Sequence, residues 1–187
     1  MKSFEIIRMQ SSEFWKGFDE ESKVQFADFL HCGFSPLYSE KEKEQIKLLK
    51  TDYREERQIF LKVTVDGNIV ARSFSEQSSK DTLFMCMSFV KKEFRNQGIY
   101  KKLLQETIKL AKEMGYLKII SFHNTSNNEI IIPKLKAGFV ITGIKVNAGF
   151  GTLVELTYLF SPTETDMQNF RCGFRKPTEE VKKLLSI

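Results

Sequence analysis

The pattern of apolar and polar residues predicts an α/β (α+β) domain built on a mixed central sheet of about seven strands with helices on both faces. Three observations carry that reading. Asp66-Gly67-Asn68 is a strong hairpin signal between two strand-like runs. The nine residues TLFMCMSFV, Thr82 to Val90, are apolar on both faces of their pleat, as expected of a central strand covered on both sides. Immediately afterwards RNQGIYKK, Arg95 to Lys102, leads into YKKLLQETIKLAKEMG, which carries a helical stripe.

Taken in order, Phe4 to Arg8 reads as a first strand, and Ser11 to Cys32 and Ser39 to Thr51 carry helical spacing, with Ile46, Leu49 and Tyr53 in phase. Arg57 to Val65 and Ile69 to Ser75 are the strands of the hairpin, and Thr82 to Val90 follows them. The helix from about Tyr100 to Met114 buries Tyr100, Leu103, Leu104, Ile108, Ala111 and Met114 and turns Lys101, Gln105, Lys109 and Lys112 outward. It stops before Gly115, and Lys118 to His123 is the next strand. A short helix, Asn127 to Ala137, ends at Gly138. Phe139 to Val146 and Thr152 to Phe160 then pair around NAGFG, and the tail SPTETDMQNFRCGFRKP leads to a last helix at Glu179 to Leu185. No repeat or low-complexity linker interrupts this order, so residues 1–187 are expected to form one domain, with a core at about 4–160 and a C-terminal extension at 161–187.

Composition narrows the function classes. With 187 residues, 41% of them hydrophobic and 17 of them phenylalanine, the chain can bury one sizeable core. The formal charge of +5, from 29 bases against 24 acids, is spread along the chain, with bases and acids mixed as in YREER. That balance points to anionic ligands and away from nucleic acid. Cys32, Cys86 and Cys172 are far apart and never form a CxxC pair, and the two histidines are isolated, so reduced thiols and no metal are expected. No segment approaches eighteen uninterrupted apolar residues and the N-terminus has no long apolar core. The expectation is a cytoplasmic protein without a membrane partner.

The helix that opens at RNQGIYKK is chemically unusual. A helix start leaves about four backbone N–H groups without intrahelical partners and carries roughly half a positive charge. Ser, Thr, Asp or Asn caps and early acids normally answer both. Here Gly98 and Ile99 precede the helix, and Lys101 and Lys102 occupy its first turn. Bases at that end cost about 0.3–1 kcal/mol unless an anion reverses the local field. A phosphate or pyrophosphate is the expected missing partner, with Gly98 allowing close backbone approach and Arg95, Lys101 and Lys102 adding charge. No GxxxxGK[ST] occurs, and the GFG at Gly149 to Gly151 lacks a third glycine and a following helix, so this is neither a P-loop nor a dinucleotide fingerprint.

The run VKKEFRNQGIYKKLL resembles the acyl-CoA signature (Q/R)xxGx(G/A) of the GNAT superfamily of N-acyltransferases, with Arg95 and Gly98 in its first two fixed positions. NNEIIIPKLKAGF resembles the family's second motif, in which an Asn opens a helix that ends in Gly-Phe; Asn127, Gly138 and Phe139 are those landmarks. The element order from Phe4 to Phe160 is also that family's. The resemblance implies a sheet splayed between its fourth and fifth strands, which admits the pantetheine arm of acetyl-CoA. It implies that backbone groups at Phe89 and Val90 bond the arm, that the loop Arg95, Asn96, Gln97, Gly98, Ile99, Tyr100 and Lys101 holds the pyrophosphate, and that Asn127 contacts the arm or simply caps its helix.

The implied reaction is direct transfer of an acetyl or other acyl group from the thioester to an amine, for which no metal is required. His123, at the end of KIISFH, is the candidate base, because imidazole titrates near neutrality; His31 is a weaker one. Tyr158, near the middle of the last strand, could reach the acyl site or be a core tyrosine. Two positions depart from the pattern. Tyr100 stands where the signature has Gly or Ala, so its ring must point away from the pyrophosphate or narrow the cradle. Lys134 stands where many members carry a tyrosine as acid to the thiolate. A lysine at a helix end is commonly exposed, and it could serve as the acid only with a lowered pKa.

The resemblance implies an acceptor groove between HCGFSPLYSE and NAGFGT. Both are short on acids, and Phe34, Leu37, Tyr38 and Phe150 suggest partly apolar walls; without a carboxylate cluster a small-molecule or peptide amine is expected rather than a polycation, although Glu40 and Glu155 could line the groove. The alternative is a non-catalytic acyl-CoA-binding sensor or interaction module that lacks the acid. The tail beyond Pro162 leaves a homodimer open.

Overall fold

The computed structural model describes residues 4–26, 38–48 and 57–187. Seven strands form one sheet: β1 Glu5–Arg8, β2 Gln58–Val65, β3 Asn68–Ser79, β4 Thr82–Val90, β5 Lys118–Asn124, β6 Val140–Asn147 and β7 Gly151–Leu159, in the spatial order β1-β2-β3-β4-β5-β7-β6. Every neighbouring pair is antiparallel except β4 and β5, which are parallel. Connection length explains the exception. Tight turns join β2 to β3 and β6 to β7, whereas β4 reaches β5 through a crossover helix, α4, Ile99–Glu113. In the β2–β3 turn Asp66 and Gly67 have φ of 51° and 78°, the pair of positive angles whose twist suits a two-residue hairpin.

Successive strand residues point to opposite faces, so the two faces can be read from β2 and β3. On one, α4 lays Ile99, Leu103, Leu104 and Ala111 over Ile59, Leu61, Val63, Leu83 and Ile119. On the other, Phe60 and Phe74 are register partners whose rings stack 4.9 Å apart, and they join Phe14, Phe18 and Phe89 in an aromatic cluster. Phe14 and Phe18 come from two short helices, α1 Ser11–Trp15 and α2 Phe18–Gln25. The helical spacing had suggested one helix from Ser11 to Cys32. Gly17 breaks it with φ of 71°, and residues 27–37 lie outside those described. The helix expected at Ser39 to Thr51 is described as α3, Glu40–Leu48; Leu49, Thr51 and Tyr53 lie outside.

A buried ion pair ties α2 to the sheet. Arg72 on β3 is 4% exposed, donates from Nε to Glu21 at 2.6 Å and from Nη1 to the Phe14 carbonyl at 2.7 Å. Beyond the sheet, the tail forms two helices, α6 Pro162–Arg171 and α7 Glu179–Leu185. The first was not expected. Its start is nevertheless written in the sequence: Ser161 accepts from the Glu164 N–H, and Pro162 occupies the first helical position.

Removing Glu21 leaves Arg72 buried without its countercharge. Glu21→Ala is expected to cost about 2–4 kcal/mol, measured as a lowered urea midpoint at unchanged slope.

Candidate active site

The first feature is the loop that leads from β4 into α4. After β4 a single 3-10 turn, Lys92–Phe94, leads into Arg95, and the loop then passes through two left-handed residues, Asn96 at φ 59° and Gly98 at φ 78°. Gly98 is the N-cap residue of α4, no side chain caps this end, and the first turn holds no acid. Arg95, Asn96, Gln97 and Gly98 are exposed, and so is Lys101, whereas Ile99 is buried and anchors the helix start. A Cβ on Gly98 would meet nothing within 4 Å, so the glycine is required by its φ and the space beside it is open. Two of the bases are already engaged. Arg95 Nε donates to the Val90 carbonyl at 3.1 Å, pinning the loop to the end of β4, and the Lys102 ammonium lies 4.2 Å from the centre of the Phe4 ring. Tyr100 stands where the signature has Gly or Ala, and its ring packs against the core beneath α4, where burial pushes its phenol pKa up.

The second feature is the parting of β4 from β5. Their parallel register covers three pairs, Thr82 with Lys118, Leu83 with Ile119 and Phe84 with Ile120, and then stops. Both strands continue, β4 to Val90 and β5 to Asn124, without pairing to each other. A bulge contributes. In the β3–β4 register Ser75 faces Met85 and Phe74 faces Met87, so Cys86 is the extra residue. The bulge changes which face the end of β4 presents: Leu83 and Met85 join the α4 core, while Met87 and Phe89 turn to the aromatic cluster.

At the start of this opening sits a lysine. Lys134 lies in α5, Asn128–Lys136, on the same side as buried Ile131, and is 1% exposed rather than solvated as helix-end lysines commonly are. Its Nζ donates to Ser121 Oγ at 2.6 Å, lies 3.5 Å from Met85 Sδ and rests 5.0 Å from the centre of the Phe139 ring. Met85 and Ser121 are the residues that follow the last paired rung, so the amine occupies the fork itself. Burial without a carboxylate partner holds its pKa at about 7 rather than 10.5. Ser121 also lies 3.2 Å from His123 Nε2. Burial, and then the nearby Lys134 charge, lower the His123 pKa to about 3, so the imidazole is neutral throughout the physiological range. Lys134, Ser121 and His123 thus form one hydrogen-bonded row along the opening.

The other candidates fall elsewhere. Tyr158 faces Ile119 in the β5–β7 register, four residues or about 13 Å along the strand from the partner of His123, and packs between Phe139 and Phe160. Asn127 is the N-cap residue of α5, but its side chain makes no capping hydrogen bond. Phe89 is buried in the aromatic cluster, and Val90 contributes the carbonyl held by Arg95. Burial raises the Cys86 thiol well above its usual range, which removes it as a thiolate nucleophile. His31, Cys32, Phe34 and Leu37 lie outside the described residues. Of the remaining groove residues, Tyr38, Glu40 and Phe150 are exposed, and Glu155 accepts from the Thr142 hydroxyl at 2.8 Å. Among the described residues no group of three or more His, Cys, Asp or Glu could hold a metal, and no helix is long and apolar enough to cross a membrane.

Ser121 was missed in the sequence. Its signal was a hydroxyl at an inward position of KIISFH, in phase with Ile119 and His123.

Comparison with known proteins identifies the family. The Acetyltransferase (GNAT) family matches residues 23–139, and the chain belongs to that family. No curated protein matches the chain in sequence. Among solved structures, it is similar to the ribosomal-protein-S18-alanine N-acetyltransferase from Escherichia coli, at 16% identity over 85% of this chain and 95% of that one, with a TM-score of 0.61. A GNAT family acetyltransferase from Elizabethkingia anophelis with acetyl-CoA bound is 17% identical over 84% of this chain and 98% of its own, with a TM-score of 0.59. The PaiA N-acetyltransferase from Thermoplasma acidophilum, in complex with coenzyme A, is 18% identical over 83% and 99%, with a TM-score of 0.57. At these identities the likeness is one of fold.

Lys134 makes stability depend on pH with a definite sign. Its folded pKa is depressed, so between about pH 7 and 10.5 the unfolded chain binds more protons than the folded one, and stability rises with pH across that window. The cost of burying the charge is fully present below pH 7. Lys134→Met is therefore expected to be more stable than wild type by about 2–4 kcal/mol near pH 6, with the difference shrinking towards pH 10, read from chemical denaturation at each pH.

Proposed function

We propose that the protein is an N-acetyltransferase that moves an acetyl group from acetyl-CoA to the amine of a small molecule or peptide by direct attack on the thioester. The observation that carries this reading is the pairing of an uncapped, acid-free α4 N-terminus with a buried amine at the fork of β4 and β5. The residues present suit acetyl-CoA. Backbone N–H groups from Gly98 to Lys101, with exposed Lys101 beside them, suit a pyrophosphate, and the unpaired strand edges beyond Phe84 and Ile120 suit an extended amide-bearing arm. The uncapping side chain of Asn127 is available to the same arm.

Chemically, the transfer needs a proton for the departing thiolate and an acceptor for the proton that the amine loses. Lys134 suits the first task. A thiol titrates at about 8.5 and an ordinary lysine at about 10.4, so an ordinary lysine holds its proton too tightly to protonate a thiolate; at about 7, transfer from Lys134 runs downhill. His123 is neutral and half-buried in the same row; with a pKa of about 3 it is a weak base by itself and suits the second task only as a relay that passes its other proton to Ser121 as it takes the amine's. The binding-only alternative rests on a missing acid, and the buried amine of Lys134 at the fork supports the catalytic reading instead. A general acid in this position is worth about 10²- to 10⁴-fold, with orientation of the two substrates contributing more.

Two linked experiments test this reading. Calorimetric titration with acetyl-CoA and with free CoA is expected to show binding of both, and thiol release is expected only when a suitable amine is added. Absence of binding at hundreds of micromolar would refute the assignment. Gly98→Glu is expected to abolish binding by placing bulk and negative charge at the cradle, whereas Gly98→Ala, which meets no atom within 4 Å, should retain it and cost about 1 kcal/mol of stability from its positive φ.

A further inference from the structure

The row Lys134–Ser121–His123 has a direction, and the direction depends on the lysine. A charged Lys134 has donors only, so Ser121 must accept from it at 2.6 Å and turn its own proton to His123 Nε2 at 3.2 Å. The imidazole then carries its proton on Nδ1. A neutral Lys134 has a lone pair, and the row can reverse: His123 Nε2–H donates to Ser121, Ser121 donates to Lys134, and His123 Nδ1 becomes an acceptor. Nδ1 makes no hydrogen bond within the described residues, and His123 is only half-buried.

We propose that Ser121 is a positioning residue that joins His123 and Lys134 into a proton wire, along which the proton lost by the attacking amine travels to the sulfur that leaves. This rests on the acetyl-transfer reading above. The balance closes. The new C–N bond forms as the C–S bond breaks; the amine's proton goes to His123 Nδ1, the Nε2 proton to Ser121 Oγ, the Ser121 proton to the Lys134 amine, and an ammonium proton from Lys134 to the thiolate. The row starts with Lys134 neutral and His123 protonated on Nε2; each residue ends neutral, and after the products leave His123 regains that tautomer as Nδ1 releases its proton to solvent while Lys134 takes one up from solvent and passes one through Ser121 to Nε2. The groups that face Lys134 are few: Met85 from β4, Ser121 and His123 from β5, and Phe139 before β6, with Tyr158 of β7 packed behind Phe139. Among the described residues no carboxylate pairs with Lys134, so its own protonation is what sets the direction of the row.

The first readout needs no substrate. His123 and His31 are the two histidines of the chain, so in a His31→Gln background ¹⁵N-histidine labelling leaves one imidazole to follow. Between about pH 5 and 9 the His123 nitrogen shifts are expected to report the Nδ1–H tautomer at low pH and a growing Nε2–H population as Lys134 deprotonates. Ser121→Thr should keep that step and Ser121→Ala should lose it, with kcat for thiol release reduced about tenfold or more in the alanine variant alone and the KM for acetyl-CoA unchanged. A wild-type tautomer that ignores pH, or a step that survives in Ser121→Ala, would overturn the wire. Failure of the acetyl-transfer reading would appear separately, as absence of acetyl-CoA binding.

Discussion

The end of pairing between β4 and β5 after three rungs is the constraint on which the rest of the site depends. Parallel strands that stay zipped have no free backbone edge and no room for a side chain between them. Here the crossover through α4 sets the two strands side by side at Phe84 and Ile120, and the bulge at Cys86 turns the remainder of β4 to a different face. The same crossover places the N-terminus of α4 at the end of β4, where the Arg95–Val90 hydrogen bond holds the loop. One topological element therefore supplies an uncapped, acid-free helix N-terminus, two unpaired edges and the fork that receives Lys134.

Electrostatics give the fork its chemistry. Elsewhere the described charges follow ordinary rules: Arg72 is buried but paired with Glu21, and exposed pairs such as Lys23 with Glu20 sit in solvent, where each is worth little. Lys134 differs from both, being buried with a hydroxyl, a thioether and an aromatic face for company. Such a setting stabilises the neutral amine without supplying a countercharge, and it costs folding stability at neutral pH. That cost is what places the amine within reach of a thiolate in pKa. Cys86, a few residues away on β4, is moved in the opposite functional sense, since burial keeps its thiol protonated and inert.

Much of this was legible in the residues. The acid-free helix start at Gly98, the Asp-Gly hairpin and the doubly apolar strand at Thr82 to Val90 are local signals, and local physics decides them. The limits were equally physical. Periodicity joined Ser11 to the following helix because it does not register a left-handed glycine, and α6 was passed over although Ser161-Pro162-Thr163-Glu164 has the form of a capped start. Lys134 was expected to be exposed because helix-end lysines usually are. Its spacing of three from Ile131 already put it on the inward face, but only the tertiary structure shows that the inward face of α5 meets the fork. Ser121 acquires meaning only once Lys134 and His123 lie on either side of it.

The most direct measurement is the titration of the Lys134 ε-methylene carbon by NMR, assigned by its loss in Lys134→Met and followed from about pH 5 to 11. A midpoint near 7 is expected if the fork holds an amine poised to exchange protons with a thiolate. A midpoint near 10.5 would mean that the charge is stabilised where it stands, and would contradict Lys134 as the acid on which this reading of the site depends.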